Sequence, residues 1–302
     1  MTDTTLTSAE RYEMLTRIRA TRPEEIAHAA ARRRRRGLVA DGERLLIIAA
    51  DHAARATIGV RDRPFAMADR RDLLDRLQVA LARPGVDGIL ASPDVLEDLL
   101  LLGALEDKLA FGSMNRGGIP GAVFELDDRF TAYDAATIEA MRLDGGKMLC
   151  RIDPADPATV TTLESCAHAV SDLARRRLVA MVEPFWSGRP AGGGPVRNDL
   201  SPEAIIRSIS VGQALGTTSA YTWLKIPAIP DMERVMAATT LPALLLGGDP
   251  PDLDAAYADW ARAMDLPGVR GLVVGRALLY PHGDDVATAV DNAAALVGKS
   301  AR

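Results

Sequence analysis

Lysine is scarce in this chain. Its Lys and Arg residues total 36, and only Lys108, Lys147, Lys225 and Lys299 are lysine. Two of the four stand in apolar runs, Lys225 in SAYTWLKIPAIP and Lys147 in DGGKMLCRID. An ammonium at a half-buried strand end is costly to hold, and it responds by releasing its proton. The neutral amine is then a nucleophile toward a ketone or aldehyde. Lys225 is therefore the expected Schiff-base lysine. An apolar wall of Trp223, Ile226 and Pro227 and a second cation, Lys147, are expected to depress its pKa. Attack on a carbonyl gives a carbinolamine and then an iminium, which draws electrons out of the adjacent C–C bond. The same spacing also fits a lysine that snorkels from a strand end or pairs with a carboxylate.

Glu183 and Asp51 each directly follow an apolar run, where burial can raise a carboxyl pKa toward neutrality. They are the candidate general acids and bases. Ion pairing with Lys147, Arg151 or Lys225 is the structural alternative, and the two roles are compatible. Lys147 joins them as a catalytic candidate, and Arg151 and His52 as substrate contacts. His28, His168 and His282 have no partner spacing. There is no HxH, HExxH or CxxC pattern, so no metal site and no cofactor are predicted. Further along, LGGDP supplies Gly247 and Gly248, and VVGRA supplies Gly275 and Arg276. Glycine lets backbone amides approach an anion closely, and arginine presents a fork suited to phosphate. Tight turns would use the same glycines.

The elements that must position these groups are short apolar runs alternating with helical patterns. The expected strands are 44–50, 87–92, 109–115, 146–152, 177–184, 221–227, 242–248 and 270–276. Several are apolar on both faces, as parallel strands covered by helices are. Eight such repeats predict an α/β fold, a (β/α)8 barrel of the TIM type, over residues 44–302. Residues 1–43 are expected to form an N-terminal helical extension. An open doubly wound sheet would need a glycine fingerprint after the first strand, and none is present. In a barrel the C-terminal strand ends converge on one pocket. The predicted ends bring Asp51-His52, Ser92, Asn115-Arg116, Lys147, Arg151, Asp153, Glu183, Lys225, Gly247-Gly248 and Gly275-Arg276 to that face. The Gly- and Pro-rich stretch 186–200 follows the fifth strand, so it is expected there too, as a lid or a passive surface loop. The arginine run Arg32–Arg36 is expected to be a solvated helix face.

Composition narrows the functional class. A formal net charge of −5 leaves no nucleic-acid footprint. Two cysteines give no disulfide framework and suit a reducing cytoplasm. No run of 18 apolar residues occurs and the N-terminus lacks a signal core, so neither a membrane span nor secretion is expected.

In this order the motifs resemble the class I, Schiff-base aldolases of the DeoC/LacD/DhnA type. LLIIAADHAAR is similar to their strand-one Asp-His-Gly segment, with Ala53 where the glycine stands. YTWLKIPAIP resembles the segment bearing the Schiff-base lysine, here Lys225. LPALLLGGDP and GLVVGRALLY resemble the phosphate-binding segments, here Gly247, Gly248, Gly275 and Arg276. GGKMLCRID with VEPF is similar to the tagatose-bisphosphate aldolase branch, which carries a strand-four lysine and a strand-five glutamate, here Lys147 and Glu183. Where some branches place a tyrosine acid after strand five, EPFW stands instead. Within this group the chain most resembles an actinobacterial aldolase-like family associated with inositol catabolism. That resemblance implies a homo-oligomeric enzyme cleaving 2-deoxy-5-keto-gluconate 6-phosphate to dihydroxyacetone phosphate and malonic semialdehyde. Deoxyribose-phosphate or fructose/tagatose-bisphosphate cleavage by the same residues is the alternative, and a sugar-phosphate-binding barrel without turnover is another.

Overall fold

A computed structural model of the chain describes residues 7–115, 118–248, 250 and 252–299. Eight parallel strands form the wall of a closed barrel: β1 (Leu45–Ala50), β2 (Gly88–Ala91), β3 (Leu109–Asn115), β4 (Gly145–Ile152), β5 (Val179–Gly188), β7 (Thr222–Pro227), β8 (Ala243–Leu246) and β9 (Val269–Val274). The order around the sheet is β4-β3-β2-β1-β9-β8-β7-β5, and the β4–β5 ladder closes the ring. This is the (β/α)8 architecture expected. The two-residue β6 (Arg197–Asn198) pairs antiparallel with the far end of β5.

The strands alternate with strict parity. In β1, Leu45, Ile47 and Ala49 point into the barrel, while Leu46, Ile48 and Ala50 meet the helices. The interior layer is completed by Leu90, Leu109, Phe111, Val179, Met181, Trp223, Leu244 and Val273. This alternation is the two-residue period of a strand, and it decides which side chain enters the barrel. It corrects one detail expected from sequence. Ile226 faces the helix layer rather than walling Lys225, and Cys150 lies in that layer too.

The outer ring is α3 (Arg70–Ala82), α4 (Pro93–Leu101), α5 (Ala135–Ala140), α6 (Ala158–Arg175), α7 (Pro202–Gly212), α8 (Met232–Met236), α9 (Leu253–Met264), α10 (Arg276–Leu279) and α11 (Val286–Leu296). Short polar residues start many of them. Asp69 caps α3, Asp134 caps α5, Ser201 caps α7 just ahead of Pro202, and Asp285 caps α11, each accepting from amides of the first turn. No helix of the described residues is long and apolar enough to cross a membrane.

Two helices, α1 (Ser8–Thr21) and α2 (Glu25–Arg32), precede the barrel. The arginine run corrects its expectation as a solvated helix face. Helix α2 stops at Arg32, and the next arginines run across the bottom of the barrel. Arg33 is 2% exposed and donates to the carbonyls of Lys108 (2.6 Å) and Arg142 (2.5 Å). Arg35 reaches Asp144 at 2.7 Å, and Arg36 pairs with Glu43 at 2.7 Å and with Asp87. Those two aspartates in turn accept backbone amides at the starts of neighbouring strands, Asp144 from Ala110 and Asp87 from Leu46, both at 2.8 Å. Arginine keeps its charge when buried and satisfies several acceptors at once, which suits it to such a clamp. Leu38 and Val39 then pack against the interior layer from below. The bottom is sealed, and the open end is the C-terminal one.

Candidate active site

Three strands deliver the central groups by parity. Lys147, two residues after the strand start at Gly145, points inward from β4; Glu183 does so from β5 and Lys225 from β7. Lys225 Nζ donates to Glu183 Oε1 at 2.5 Å. The other oxygen of Glu183 pairs with Lys147 Nζ. Lys147 Nζ also donates to Asp51 Oδ2 at 3.2 Å, and Ser113 Oγ donates to the same oxygen at 3.1 Å. The result is one line of alternating charge across the barrel: Asp51, Lys147, Glu183, Lys225. All four are at most 5% exposed, and Lys147 and Asp51 are fully buried. Charges removed from water persist only when paired this way.

Above this line opens a cavity of ≈ 420 Å³. Lys225 and Glu183 form part of its floor, with Phe185 and Pro227 as apolar neighbours. Lys147 and Asp51 do not line it. Lys147 reaches it through Glu183, and Asp51 stands behind Lys147. The two lysines also do not face each other; Glu183 stands between them.

The predicted anion groups gather on one side of the same cavity. Gly247, Gly248, Gly275 and Arg276 line it from the ends of β8 and β9, beside His52. Gly275 is required sterically: a Cβ there would collide with Ala49 O and lie 2.6 Å from His52 Cε1. Gly248 adopts φ +60°, in the left-handed region that favours glycine, and a Cβ there would meet nothing within 4 Å. Across the ring lies the connection between β3 and β4. Arg151 lines the cavity there, but its fork is engaged: Nε and Nη2 hold Asp128 at 2.7 and 2.6 Å, and Nη2 also binds Glu125 O. It anchors the 118–130 segment instead of presenting an open fork to substrate. Ser92 and Asp153 act in local turns, Ser92 bonding Asp94 and Asp153 receiving the Ala155 amide. Asn115 bridges the irregular β3–β4 ladder by accepting from Leu149 N (2.6 Å) and donating to Leu149 O (2.7 Å). Arg116 and Asp249 lie outside the described residues.

Sequence reasoning missed four contributors. Ser113 shares the inward face of β3 two residues before Asn115, and parity alone could have found it. Arg55 lines the cavity from the 3-10 turn after β1 and donates to Gly118 O at 2.6 Å. Glu125 and Asp128 sit in a connection without periodicity, and nothing local marks them. The 186–200 stretch is a hairpin that puts Pro195, Val196 and Asn198 on the cavity wall. No tyrosine lines the cavity among the described residues. No group of three or more His, Cys, Asp or Glu among them is disposed to hold a metal ion.

Chemically, the floor is an amine hydrogen-bonded to a carboxylate, with the apolar Phe185 and Pro227 lining the same cavity. The wall near β8 and β9 offers glycine backbone and a guanidinium. The arrangement can hold an anionic group at one end and bring an electrophilic carbon to Nζ of Lys225.

Comparison with known proteins places this geometry in context. The chain matches the Cgl0159-like family over residues 43–294 and belongs to it. The crystal structure of Cgl0159 from Corynebacterium glutamicum is similar at 50% identity, TM-score 0.92, over 95% of this chain and 97% of that one. An archaeal fructose 1,6-bisphosphate aldolase shares the fold at 18% identity, TM-score 0.62, over 90% of this chain and 98% of that one. So does an archaeal fructose-1,6-bisphosphate aldolase whose catalytic Lys is covalently bound to the carbinolamine intermediate, at 18% identity and TM-score 0.61, over 90% and 99%. No curated protein matches the chain.

Proposed function

We propose that this Cgl0159-like protein is a metal-independent class I aldolase that cleaves a phosphorylated keto sugar through a Schiff base on Lys225. One observation carries the reading: the Lys225 amine sits on the cavity floor, 2.5 Å from a buried carboxylate that can take its proton. The shared barrel of aldolases described as Schiff-base-forming supports the same kind of reaction.

In this reading the substrate phosphate rests on Gly247, Gly248, Gly275 and Arg276, which orients the ketone carbon toward Lys225. Glu183 accepts a proton from the Lys225 ammonium, and the free amine adds to the carbonyl carbon. The carbinolamine hydroxyl leaves as water after taking that proton back, and the iminium remains. Glu183 then removes the proton from the substrate hydroxyl on the far carbon of the scissile bond, β to the iminium carbon. The C–C electrons move into the iminium, the aldehyde departs, and an enamine is left. Protonation of the enamine carbon and attack of water on the iminium release the ketone product and regenerate Lys225. Lys147 and Asp51 keep Glu183 aligned and balance its charge through these transfers, and His52 contacts the substrate beside the phosphate end. Since no described tyrosine lines the cavity, proton movement falls to Glu183, with His52 the other titratable neighbour near the phosphate wall. For the keto sugar itself, the resemblance to an inositol-associated branch favours 2-deoxy-5-keto-gluconate 6-phosphate, and the assembly is a homo-oligomer of cytoplasmic subunits.

The test is borohydride reduction in the presence of dihydroxyacetone phosphate, followed by peptide mass spectrometry. A stable adduct on Lys225, absent in Lys225→Met, is the expected result. Binding of the phosphate by calorimetry with no adduct anywhere would replace the aldolase with a sugar-phosphate-binding barrel.

A further inference from the structure

The cavity has a roof, and one carboxylate ties it down. The roof is the hairpin in which β5 runs past the barrel rim to Gly188 and returns as β6. Its ladder is only two residue pairs, Ser187 with Asn198 and Gly188 with Arg197. So short a ribbon has little stability of its own. Its tip bends through Gly193 and Gly194, at φ +80° and +114°, and is exposed. Something else must hold it over the cavity.

Glu125 meets both arms. It is 2% exposed, lines the cavity and stands in the β3–β4 connection, beyond the rim from β5. Its Oε2 accepts from Val196 N, on the returning arm, at 3.1 Å. The same oxygen lies 3.5 Å from Arg189 Nη1, on the outgoing arm. Arg189 also donates to Gly194 O and Ala122 O, both at 3.1 Å, so it crosslinks the hairpin to itself and to the opposite segment. The segment under Glu125 is rigid in turn, because the buried Arg151 fork holds Asp128 and the Glu125 carbonyl. An unbroken path of charge-assisted bonds therefore runs from the β4 wall, through Glu125, to the roof.

We propose that Glu125 is a positioning residue that latches the β5–β6 hairpin closed above Lys225. Its consequence for turnover rests on the aldolase reading; the latch itself does not. A closed roof keeps bulk water from the iminium until the aldehyde has left, and it holds Val196 and Asn198 against the bound sugar. Arg189 is the cationic half of the latch. The residue touches no reacting atom in this assignment, so its effect is on capture and retention of the carbonyl compound.

The experiment compares wild type, Glu125→Ala, Glu125→Gln and Arg189→Ala in two assays. The first is borohydride trapping of dihydroxyacetone phosphate on Lys225 as a function of its concentration. Glu125→Ala is expected to raise the half-saturating concentration by about tenfold, the effect of one lost charge-assisted bond, with the adduct yield at saturation unchanged. Glu125→Gln keeps an oxygen for Val196 N and should fall between, which is a rescue that a merely structural loss would not give. The second assay is limited digestion with proteinase K, mapped by mass spectrometry. Cuts within 189–196 should appear in Glu125→Ala and Arg189→Ala well before the wild type is cut. If Glu125→Ala fails to fold, Glu125→Gln and Arg189→Ala decide the matter alone. Wild-type half-saturation together with an uncut hairpin in the variants would overturn the latch. Absence of an adduct in the wild type would remove the aldolase reading, and the digestion pattern would still confirm or refute the latch.

Discussion

Replacing Lys147 by methionine tests the charge line most severely. The substitution keeps the length and apolar stem of the side chain and deletes one buried positive charge. Asp51 then loses the Lys147 ammonium and Glu183 keeps Lys225, so two carboxylates stand in the line with one cation where two had balanced two. At the 3.2 Å separation from Asp51 Oδ2, opposite unit charges attract by roughly 5 kcal/mol at an effective dielectric of about 20. Desolvation offsets part of this in the intact protein, and removing one partner of a buried pair costs about 3–5 kcal/mol. That is a large share of the roughly 5–15 kcal/mol by which a native protein is typically stable. Lys147→Met should therefore lower the urea midpoint sharply, and borohydride trapping on Lys225 should slow by about 100-fold, since Glu183 is no longer held for proton transfer. The double variant Lys147→Met/Asp51→Asn removes one charge of each sign. It should recover most of the stability and little of the trapping rate. A single variant as stable as wild type, or a double variant no more stable than the single, would refute the coupled line of charge.

Gly275→Ala should abolish binding of inorganic phosphate by calorimetry or prevent folding, because the added methyl collides with Ala49 O and crowds His52; wild-type affinity would show that the β9 end is not built for close approach. Arg33→Leu at the barrel bottom should cost about 3 kcal/mol in urea unfolding, since Asp144 and two carbonyls lose a buried donor, with trapping at Lys225 unaffected below the transition. The hydrogen bond to Cys150 and then burial push the Cys166 thiol well above its ordinary range. Native protein should therefore resist iodoacetamide at pH 8.5 and react only when unfolded, and rapid native labelling would contradict the packing. The same shift fixes a sign for stability. The folded state holds the thiol proton more tightly than the unfolded chain, so this contribution is complete below about pH 9 and declines as pH rises past it. Cys166→Ala should flatten that alkaline decline in denaturant midpoints.

Much of the architecture was written in local sequence. Eight apolar runs with helical patterns between them leave a parallel barrel as the economical arrangement, and the observed strands fall within a few residues of those runs. Parity along a strand is equally local. Once β4, β5 and β7 are placed, Lys147, Glu183 and Lys225 must share the inward face, because their spacing from inward neighbours such as Met181 and Trp223 is even. Gly275 at the end of β9 carries a chemical signal of its own, since only glycine admits the Ala49 carbonyl so close, and Gly248 at the end of β8 carries another in its left-handed φ.

Other features depended on where distant segments meet. That Glu183 separates the two lysines follows from side-chain reach across three strands, and composition is silent on it. The arginines after α2 read as a solvated face because a run of charge usually is one; here their partners Asp87 and Asp144 lie 51 and 109 residues away from the arginines they hold. Glu125, Arg151 and Arg189 form a latch only because the ring brings the β3–β4 connection under the β5–β6 hairpin. Residue type and periodicity determined the barrel and the candidate nucleophile, since strand pairing and burial act through near neighbours in the chain. Closure of the barrel decided the partners of every buried charge, because electrostatic pairing depends on distance in space and not on separation in sequence.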